Sequence, residues 1–177
     1  MKQSKKILIA NRGVIAIRAL RAARELGYSV ASVYSTIDRD QKHLKLSDEA
    51  ICIGPPETKD SYLNEAAIIS AAELSGADAI YPGFGFLAEN ASFAEKCRES
   101  GFKFIGPDPE VIAIMGDKIK AKELAKSLNI PVVPGYEGEI STENEAIKIV
   151  EEIGYPVIIK ACLLYTSPSP RDRTRSR

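Results

Sequence analysis

Short apolar segments alternate with longer amphipathic segments along most of the chain. The β-rich segments are predicted at residues 7–10, 29–34, 50–53, 79–81 and 104–105. Helical periodicity is found at residues 15–26, 63–74 and 92–100. Strands that alternate with helices in this way indicate an α/β fold, in which helices cover a Rossmann-like, mostly parallel sheet. Gly27, Gly76 and Gly101 each follow a helix and precede a strand, where a left-handed residue is needed.

The pattern changes after the turn-forming sequence GPDP at residues 106–109. Helices are predicted at residues 110–115, 117–128 and 142–153, and strands at residues 130–133 and 156–160. We place a domain boundary near residue 114, which gives a first domain at residues 1–114 and an incomplete second domain at residues 115–161.

The last segment, residues 162–177, has a different composition. It is rich in Ser, Pro and Arg, and it shows neither a helical nor a strand period. Such a composition predicts disorder. The segment is similar to translated sequencing-adapter sequence, and we therefore expect a non-native tail.

Charge and composition exclude several classes of protein. The 177 residues contain 24 basic and 24 acidic side chains, but the tail from residue 163 carries four Arg and one Asp, which leaves 20 basic and 23 acidic residues upstream. A slightly acidic body does not attract nucleic acid, and no apolar run approaches the roughly 18 residues of a membrane span. Three scattered cysteines and a short first apolar run favour a reducing, cytoplasmic location without a signal peptide.

Two loops at strand ends are candidates for ligand binding. The first strand runs into Asn11, Arg12 and Gly13, but a single glycine does not make a dinucleotide fingerprint. The strand at residues 79–81 runs into the sequence PGFGFLAEN at residues 82–90, where glycines allow backbone N–H groups to approach a ligand closely. A tight turn whose aromatic residues cap the core is the alternative.

Three isolated features have a simple structural interpretation and a functional one. Arg18, Arg21 and Glu25 form a charged flank of the first helix, which is either solvated or part of a subunit contact. Lys118, near a helix start, and Lys160, at a strand end, are uninformative alone. The single histidine, His43, lies in a polar stretch and is predicted to face solvent; it cannot form a histidine metal site.

Several motifs, taken together and in this order, resemble the biotin carboxylase family over residues 5–161. They are ANRG at 10–13, DRDQKH at 38–43, SYLN at 61–64, PGFGFLAEN at 82–90, FIGP at 104–107, MGDK at 115–118 and GYPVIIK at 154–160. The resemblance implies a pre-ATP-grasp N-terminal domain followed by the truncated beginning of an ATP-grasp domain.

The resemblance also implies a ligase activity for the intact enzyme. Members of the family use ATP, Mg²⁺ or Mn²⁺ and bicarbonate to carboxylate biotin, through carboxyphosphate. The expected partners are a biotin carboxyl carrier protein or domain, a carboxyltransferase, and a second copy of the chain bound through the Arg18, Arg21 and Glu25 helix. No nucleic acid or membrane is expected as a partner, and we expect the 177-residue chain to be inactive alone.

By this similarity, Lys118 and Lys160 match the lysines that hold the phosphates of ATP, and Phe84 and Gly85 match the loop beside the biotin ureido group. No catalytic residue and no metal ligand is expected within the chain. The family usually carries Glu, His, Tyr and Ser where Val14, Tyr81, Phe84 and Ala88 stand. The change at Phe84 keeps a flat apolar wall but removes a hydroxyl group.

Two alternatives remain open at this point. One is another ATP-grasp ligase, such as the carbamoyl phosphate synthetase large chain, whose leading domain has the same architecture. The other is an interaction module that dimerises through the first helix without catalysis.

Overall fold

One parallel sheet organises the first part of the molecule. The computed structural model of the chain describes residues 5–132, 136 and 140–157. Its strands are β1 (Lys6–Ile9), β2 (Ser29–Ser35), β3 (Glu49–Gly54), β4 (Ala79–Tyr81) and β5 (Lys103–Phe104). They are ordered β3-β2-β1-β4-β5, and every neighbouring pair is parallel. The sheet confirms the α/β class and the parallel arrangement predicted from the sequence.

Helices connect the strands and continue beyond the sheet. They are α1 (Gly13–Glu25), α2 (Lys42–Leu46), α3 (Glu65–Ser75), α4 (Ala91–Glu99), α5 (Pro109–Gly116), α6 (Lys118–Ser127) and α7 (Glu143–Ile153). Two short 3-10 helices lie at Thr36–Asp38 and Thr58–Asp60. Asn64 and Asn90 cap α3 and α4, since each side-chain oxygen accepts a hydrogen bond from a backbone N–H in the first turn.

Helices cover both faces of the sheet, and β1 lies in its centre. Leu8 and Ile9 follow each other in β1, so their side chains point to opposite faces, yet neither is exposed to solvent. Leu8 belongs to a cluster with residues of α3 and α4, whereas Ile9 packs with Ala16 and Leu20 of α1. Because β1 is buried on both faces, its sequence is a continuous apolar run rather than an alternation of apolar and polar residues.

The chain divides into two compact units, Met1–Ala113 and Ile114–Arg177. The first unit contains the sheet. The second contains α6 and α7. Asp117 caps α6 by accepting hydrogen bonds from the N–H groups of Ile119 and Lys120. Thr142 caps α7, since its Oγ1 accepts a hydrogen bond from the N–H of Glu145.

His43 is buried, so the prediction that it faces solvent is wrong. It lies in α2, a helix of five residues, and is 0% exposed. Its Nε2 lies 3.4 Å from the carbonyl oxygen of Val33, and its Nδ1 has no partner among the described residues. A helix of little more than one turn is too short for helical periodicity to be recognised in the sequence.

The strand predicted at residues 130–133 is absent from its described part, residues 130–132. The N–H of Ile130 instead donates to the carbonyl of Ala125 and closes α6, after Asn129 has adopted a left-handed conformation with φ of 56°. Val133 lies outside the described residues. Of the strand predicted at residues 156–160, Pro156 and Val157 are described and are not in a strand, and the rest lies outside the described residues.

Candidate functional site

The loops that follow β1 and β4 meet where the strand order of the sheet reverses. From β1 the chain proceeds to β2 on one side, whereas β4 pairs with β1 on the other side. The two loops start side by side, because the N–H of Ala10 donates to the carbonyl of Tyr81 over 2.8 Å. In open parallel sheets, ligands bind at such switch points, beyond the carboxyl ends of the strands.

The loop after β4 turns sharply and presents Phe84 to solvent. Gly83, Gly85 and Phe86 have φ angles of 72°, 68° and 42°. Phe84 is 74% exposed and Gly85 is exposed as well. A Cβ at Gly85 would meet no atom within 4 Å, so the space above this residue is open. The backbone of the loop is therefore accessible at Gly85.

Asn11, two residues after the end of β1, forms hydrogen bonds with this loop. Its Nδ2 donates hydrogen bonds to the carbonyl oxygens of Pro82 (2.7 Å) and Phe84 (2.9 Å). Its Oδ1 accepts a hydrogen bond from the backbone N–H of Arg12 over 2.8 Å. Asn11 is 1% exposed, and every hydrogen-bonding group of its amide except one lone pair is engaged.

A stack of side chains supports the inner side of the same loop. The rings of Tyr62 and Phe86 lie parallel, with centroids 4.8 Å apart. The guanidinium of Arg12 lies 5.3 Å from the ring centroid of Tyr62 and 5.6 Å from that of Phe86. Phe86 has an unfavourable positive φ, and this stack stabilises it in that conformation.

Asp38 forms hydrogen bonds with two members of the stack, Tyr62 and Arg12. Its Oδ2 accepts hydrogen bonds from Tyr62 Oη (2.7 Å), Ser35 Oγ (2.9 Å) and Arg12 Nη1 (3.1 Å). Its Oδ1 accepts one from Gln41 Nε2 over 3.2 Å. Asp38 is only 5% exposed, and its carboxylate joins segments that follow β1, β2 and β3.

The charges in this cluster are fixed at neutral pH. Burial by itself would raise the pKa of Asp38, but the hydrogen bonds from Tyr62, Ser35 and Arg12 outweigh it and hold that pKa below its usual range. Burial, followed by the hydrogen bond to Asp38, raises the pKa of Tyr62 to about 12. Asp38 is therefore ionised, and Tyr62 is a neutral donor.

Lys118, the predicted phosphate ligand, lies in the second unit. It is the first residue of α6, directly after the cap Asp117, and its side chain is exposed. Its neighbour Lys120 lies 3.6 Å from Asp117, whereas within the described chain no carboxylate pairs with Lys118. Lys160, predicted to face the same phosphates, lies outside the described residues, so the predicted pairing of the two lysines stays a prediction.

The charged flank of α1 lies on the surface, as its sequence indicates. Arg18, Arg21 and Glu25 are all exposed. Val14, on the same helix, is 71% exposed.

The described residues lack two other kinds of site. They contain no group of three or more His, Cys, Asp or Glu side chains that could hold a metal ion. In the same residues, no helix is both long and apolar enough to cross a membrane.

Sequence reasoning identified Phe84 and Gly85 but assigned no role to the residues that hold their loop. Asp38 and Tyr62 belong to motifs that were noted only for their resemblance, and Asn11 was noted only as part of such a motif and of a candidate ligand-binding loop. The available signal was positional: each is a polar residue beyond the carboxyl end of a strand of a parallel sheet, where such residues converge.

A parallel α/β domain with an exposed glycine-containing loop at its switch point defines a class of ligand-binding domains. The sequence model of the "Biotin carboxylase, N-terminal domain" family matches residues 3–112. The chain belongs to this family. Residues 117–165 match the model of the "Carbamoyl-phosphate synthase L chain, ATP binding domain".

Individual relatives agree with the family match. The chain is 56% identical over 157 residues to the biotin carboxylase of Pseudomonas aeruginosa and 55% identical over 157 residues to biotin carboxylase 1 of Bacillus subtilis. These matches cover 88% and 89% of this chain, but only 35% of each relative. The chain thus spans about a third of the length of the curated relatives it matches.

Solved structures show the same likeness. A biotin carboxylase–β-γ-ATP complex from Campylobacter jejuni superimposes with a TM-score of 0.86 at 51% identity, covering 89% of this chain and 35% of that one. The biotin carboxylase domain dimer of Hydrogenobacter thermophilus 2-oxoglutarate carboxylase, solved with ADP, magnesium and bicarbonate, gives a TM-score of 0.82 at 47% identity over 88% of this chain and 34% of that one.

Proposed function

We propose that this chain provides the N-terminal domain and the beginning of the ATP-grasp domain of a biotin carboxylase, with the boundary near residue 114. The whole enzyme is a ligase that uses ATP and bicarbonate to carboxylate biotin through carboxyphosphate. One observation carries the proposal: in a chain 56% identical to a biotin carboxylase, the loop after β4 offers the exposed ring of Phe84 and the accessible backbone of Gly85 at the switch point of the sheet.

The loop suits a small ligand with a flat apolar part and a carbonyl acceptor. Phe84 offers an exposed aromatic face. None of the described residues accepts a hydrogen bond from the N–H of Gly85, which is therefore free to donate to a ureido oxygen. Biotin, when bound, supplies the ring nitrogen that receives the carboxyl group. Phe84 and Gly85 would hold and orient that ring, and a backbone donor would polarise its carbonyl.

Lys118 would contribute to phosphate binding. Its exposed ammonium group stands at the start of α6, within the segment that matches an ATP-binding domain. Together with Lys160, it would compensate negative charge on the phosphates of ATP during transfer. Mg²⁺ or Mn²⁺ would accompany ATP. No metal ligand is assigned among the described residues, because they contain no suitable cluster.

The partners follow from the same proposal. Biotin would arrive on a carboxyl carrier protein or domain, and a carboxyltransferase would take the carboxyl group onward. A second copy of the chain would bind through Arg18, Arg21 and Glu25, whose exposure on α1 permits such a contact. We place the protein in the cytoplasm.

A chimeric enzyme tests the proposed function. The matched segment of the Pseudomonas aeruginosa enzyme is replaced by the corresponding 157 residues of this chain. We expect biotin-dependent ATP hydrolysis, measured as phosphate release with and without biotin. A folded chimera that hydrolyses no ATP in response to biotin would contradict the proposal.

The same chimera tests Lys118 against a matched control. We expect Lys118→Gln to raise the KM for ATP roughly 10- to 100-fold, the effect of losing one charge-assisted hydrogen bond. Lys120→Gln removes the same charge two residues further along α6, where the ammonium group lies beside Asp117. The control should change the KM less than about twofold. Equal effects of the two substitutions would refute a specific phosphate contact by Lys118.

One alternative has an observation in its favour. The match at residues 117–165 is to a carbamoyl phosphate synthase domain, so another ATP-grasp ligase is conceivable for the second unit. The first unit argues against it, because residues 3–112 match the biotin carboxylase N-terminal domain. ATP hydrolysis by the chimera that requires biotin would exclude the alternative.

A further inference from the structure

The orientation of the Asn11 amide is determined by its three neighbours. Two of them, the carbonyl oxygens of Pro82 and Phe84, are acceptors, and the third, the backbone N–H of Arg12, is a donor. A flipped amide would place oxygen against two oxygens and NH₂ against N–H. Only the orientation with Nδ2 toward the loop satisfies all three groups.

This orientation fixes the direction of two backbone N–H groups. The Pro82–Gly83 and Phe84–Gly85 peptide bonds are trans. In a planar trans peptide, the C=O and N–H bonds point in opposite directions. Since Asn11 draws both carbonyl oxygens toward itself, the N–H groups of Gly83 and Gly85 point away from Asn11. No described residue accepts a hydrogen bond from either N–H.

Close packing leaves the loop little freedom on the Asn11 side. A Cβ at position 83 would lie 2.7 Å from Ile15 Cγ2 and 2.9 Å from Asn11 Nδ2, so only glycine fits. A Cβ at Gly85, in contrast, would meet no atom within 4 Å, so the space beside that residue is open. The loop is thus packed closely against Asn11 and Ile15 at Gly83 and is accessible at Gly85.

We infer that Asn11 is a positioning residue, which holds the loop after β4 in the conformation that aims the N–H groups of Gly83 and Gly85 at an acceptor group of the ligand. The inference rests on the proposed function for the identity of that ligand, a ureido carbonyl. Asn11 itself is buried, and among the described residues its side chain forms hydrogen bonds only with the loop and with Arg12, so it acts through the backbone it holds.

The test is Asn11→Asp in the 177-residue chain, which keeps the size of the side chain but replaces the donor by a carboxylate oxygen facing two carbonyl oxygens. Amide ¹⁵N relaxation is measured at Gly83 and Gly85. We expect order parameters of about 0.85 in the original chain and below about 0.6 in the variant. Asn64→Asp makes the same chemical change at a helix cap, where the side chain acts as an acceptor, and should leave both values unchanged.

Free biotin at millimolar concentration is the ligand probe, and the amide shifts of Gly83 and Gly85 are the readout. Biotin should shift both signals in the original chain and in Asn64→Asp, and its Kd should rise at least about tenfold in Asn11→Asp through lost preorganisation. A purely structural role would lower the melting temperature without altering loop order or biotin affinity at the working temperature, and that result would overturn the inference.

Two further outcomes separate this inference from the proposed function. If biotin shifts neither signal in the original chain, the assignment of the loop to biotin fails, while the order parameters still decide the role of Asn11. If Asn11→Asp loses its dispersed spectrum, Asn11→Ser replaces it, because Ser can still accept from Arg12 but is too short to reach the loop. Collapse of both variants would assign Asn11 to folding of the whole domain and overturn the inference.

Discussion

Asp38 shows how one buried side chain can order several loops. Its carboxylate accepts hydrogen bonds from Ser35, the last residue of β2, and from Arg12 and Tyr62, which follow β1 and β3. The side chains of Tyr62 and Arg12 in turn contact Phe86 in the loop after β4. Removal of one partner from such a network leaves the other groups buried without their hydrogen bonds, which costs more than the bonds themselves contribute.

We expect Asp38→Asn to lower the free energy of unfolding by roughly 2 kcal/mol at pH 7, since hydrogen bonds to a charged group are lost. The folded-state pKa of Asp38 is depressed, so its contribution is fully present above the unfolded-state pKa of about 3.9 and is lost as the pH falls through the folded-state value. The difference between variant and original chain should therefore shrink below about pH 4.

Urea unfolding followed by circular dichroism at several pH values measures both effects. Asp40→Asn is the control, because Asp40 is an exposed carboxylate two residues away. A pH-independent difference, or equal destabilisation by the control, would contradict the role assigned to Asp38.

His43 makes a second pH-dependent contribution to the free energy of unfolding. Burial lowers its pKa below 6.5, although the hydrogen bond to Val33 and the charge of Asp38 partly oppose this shift. Because the folded state binds the proton less well than the unfolded state does, stability should decrease as the pH falls below about 6.5. The imidazole signals of this single histidine report its pKa directly by NMR, and a midpoint at or above 6.5 would disprove the prediction.

Among the secondary-structure elements, the strands that are buried on both faces were predicted best from the sequence. The predicted strand at residues 79–81 coincides with β4, and β1 and β2 differ by one residue at their ends, because strands buried on both faces need continuous apolar runs. The prediction failed for α2, which is too short to show a period, and at residues 130–132, where a helix cap uses the N–H that a sheet would need.

The candidate site was only partly predictable, for a related reason. Glycine and aromatic residues in the loop after β4 are local signals, and they pointed to Phe84 and Gly85. The contacts of Asn11 with that loop join residues 71 and 73 positions apart, and the Tyr62–Asp38 hydrogen bond joins residues 24 positions apart. Such pairings follow from strand order, which a single sequence does not contain.

Within helix α4, we expect Asn90 to contribute more to the stability of the fold than its neighbours do. Its Oδ1 caps α4 through Phe93, and its Nδ2 donates to Glu65 over 3.0 Å. Asn90→Ala should destabilise the fold by about 1 kcal/mol in thermal or urea unfolding. Ser92→Ala, at an exposed position in the first turn of the same helix, should have almost no effect. A loss at position 92 as large as that at position 90 would argue against capping.

On the scale of the whole molecule, the two units differ in how many of their described residues are buried. The unit with the sheet has cores on both of its faces, whereas in the described part of the second unit α6 has no buried residue and α7 has one, Ile149. The surface of the first unit also carries the charged flank of α1. This flank is where self-association is proposed.

We expect the chain to form a concentration-dependent dimer that Arg18→Glu combined with Arg21→Glu abolishes, because like charges would then face each other across a symmetric contact. Light scattering coupled to gel filtration measures the mass. Arg39→Glu changes an exposed charge elsewhere and should leave the dimer intact. A chain that stays monomeric at all concentrations, or a doubly substituted chain that still dimerises, would contradict this interface.

The contrast between two cysteines has a practical use. Burial, and then the negative charge of Glu65, raise the pKa of Cys97 to about 12, so this thiol stays protonated and inert, whereas Cys52 is exposed at the edge strand β3. With Cys162 replaced by serine, a maleimide dye should attach to Cys52 alone in the folded chain. A single fluorophore could then report on the molecule without disturbing the sheet interior.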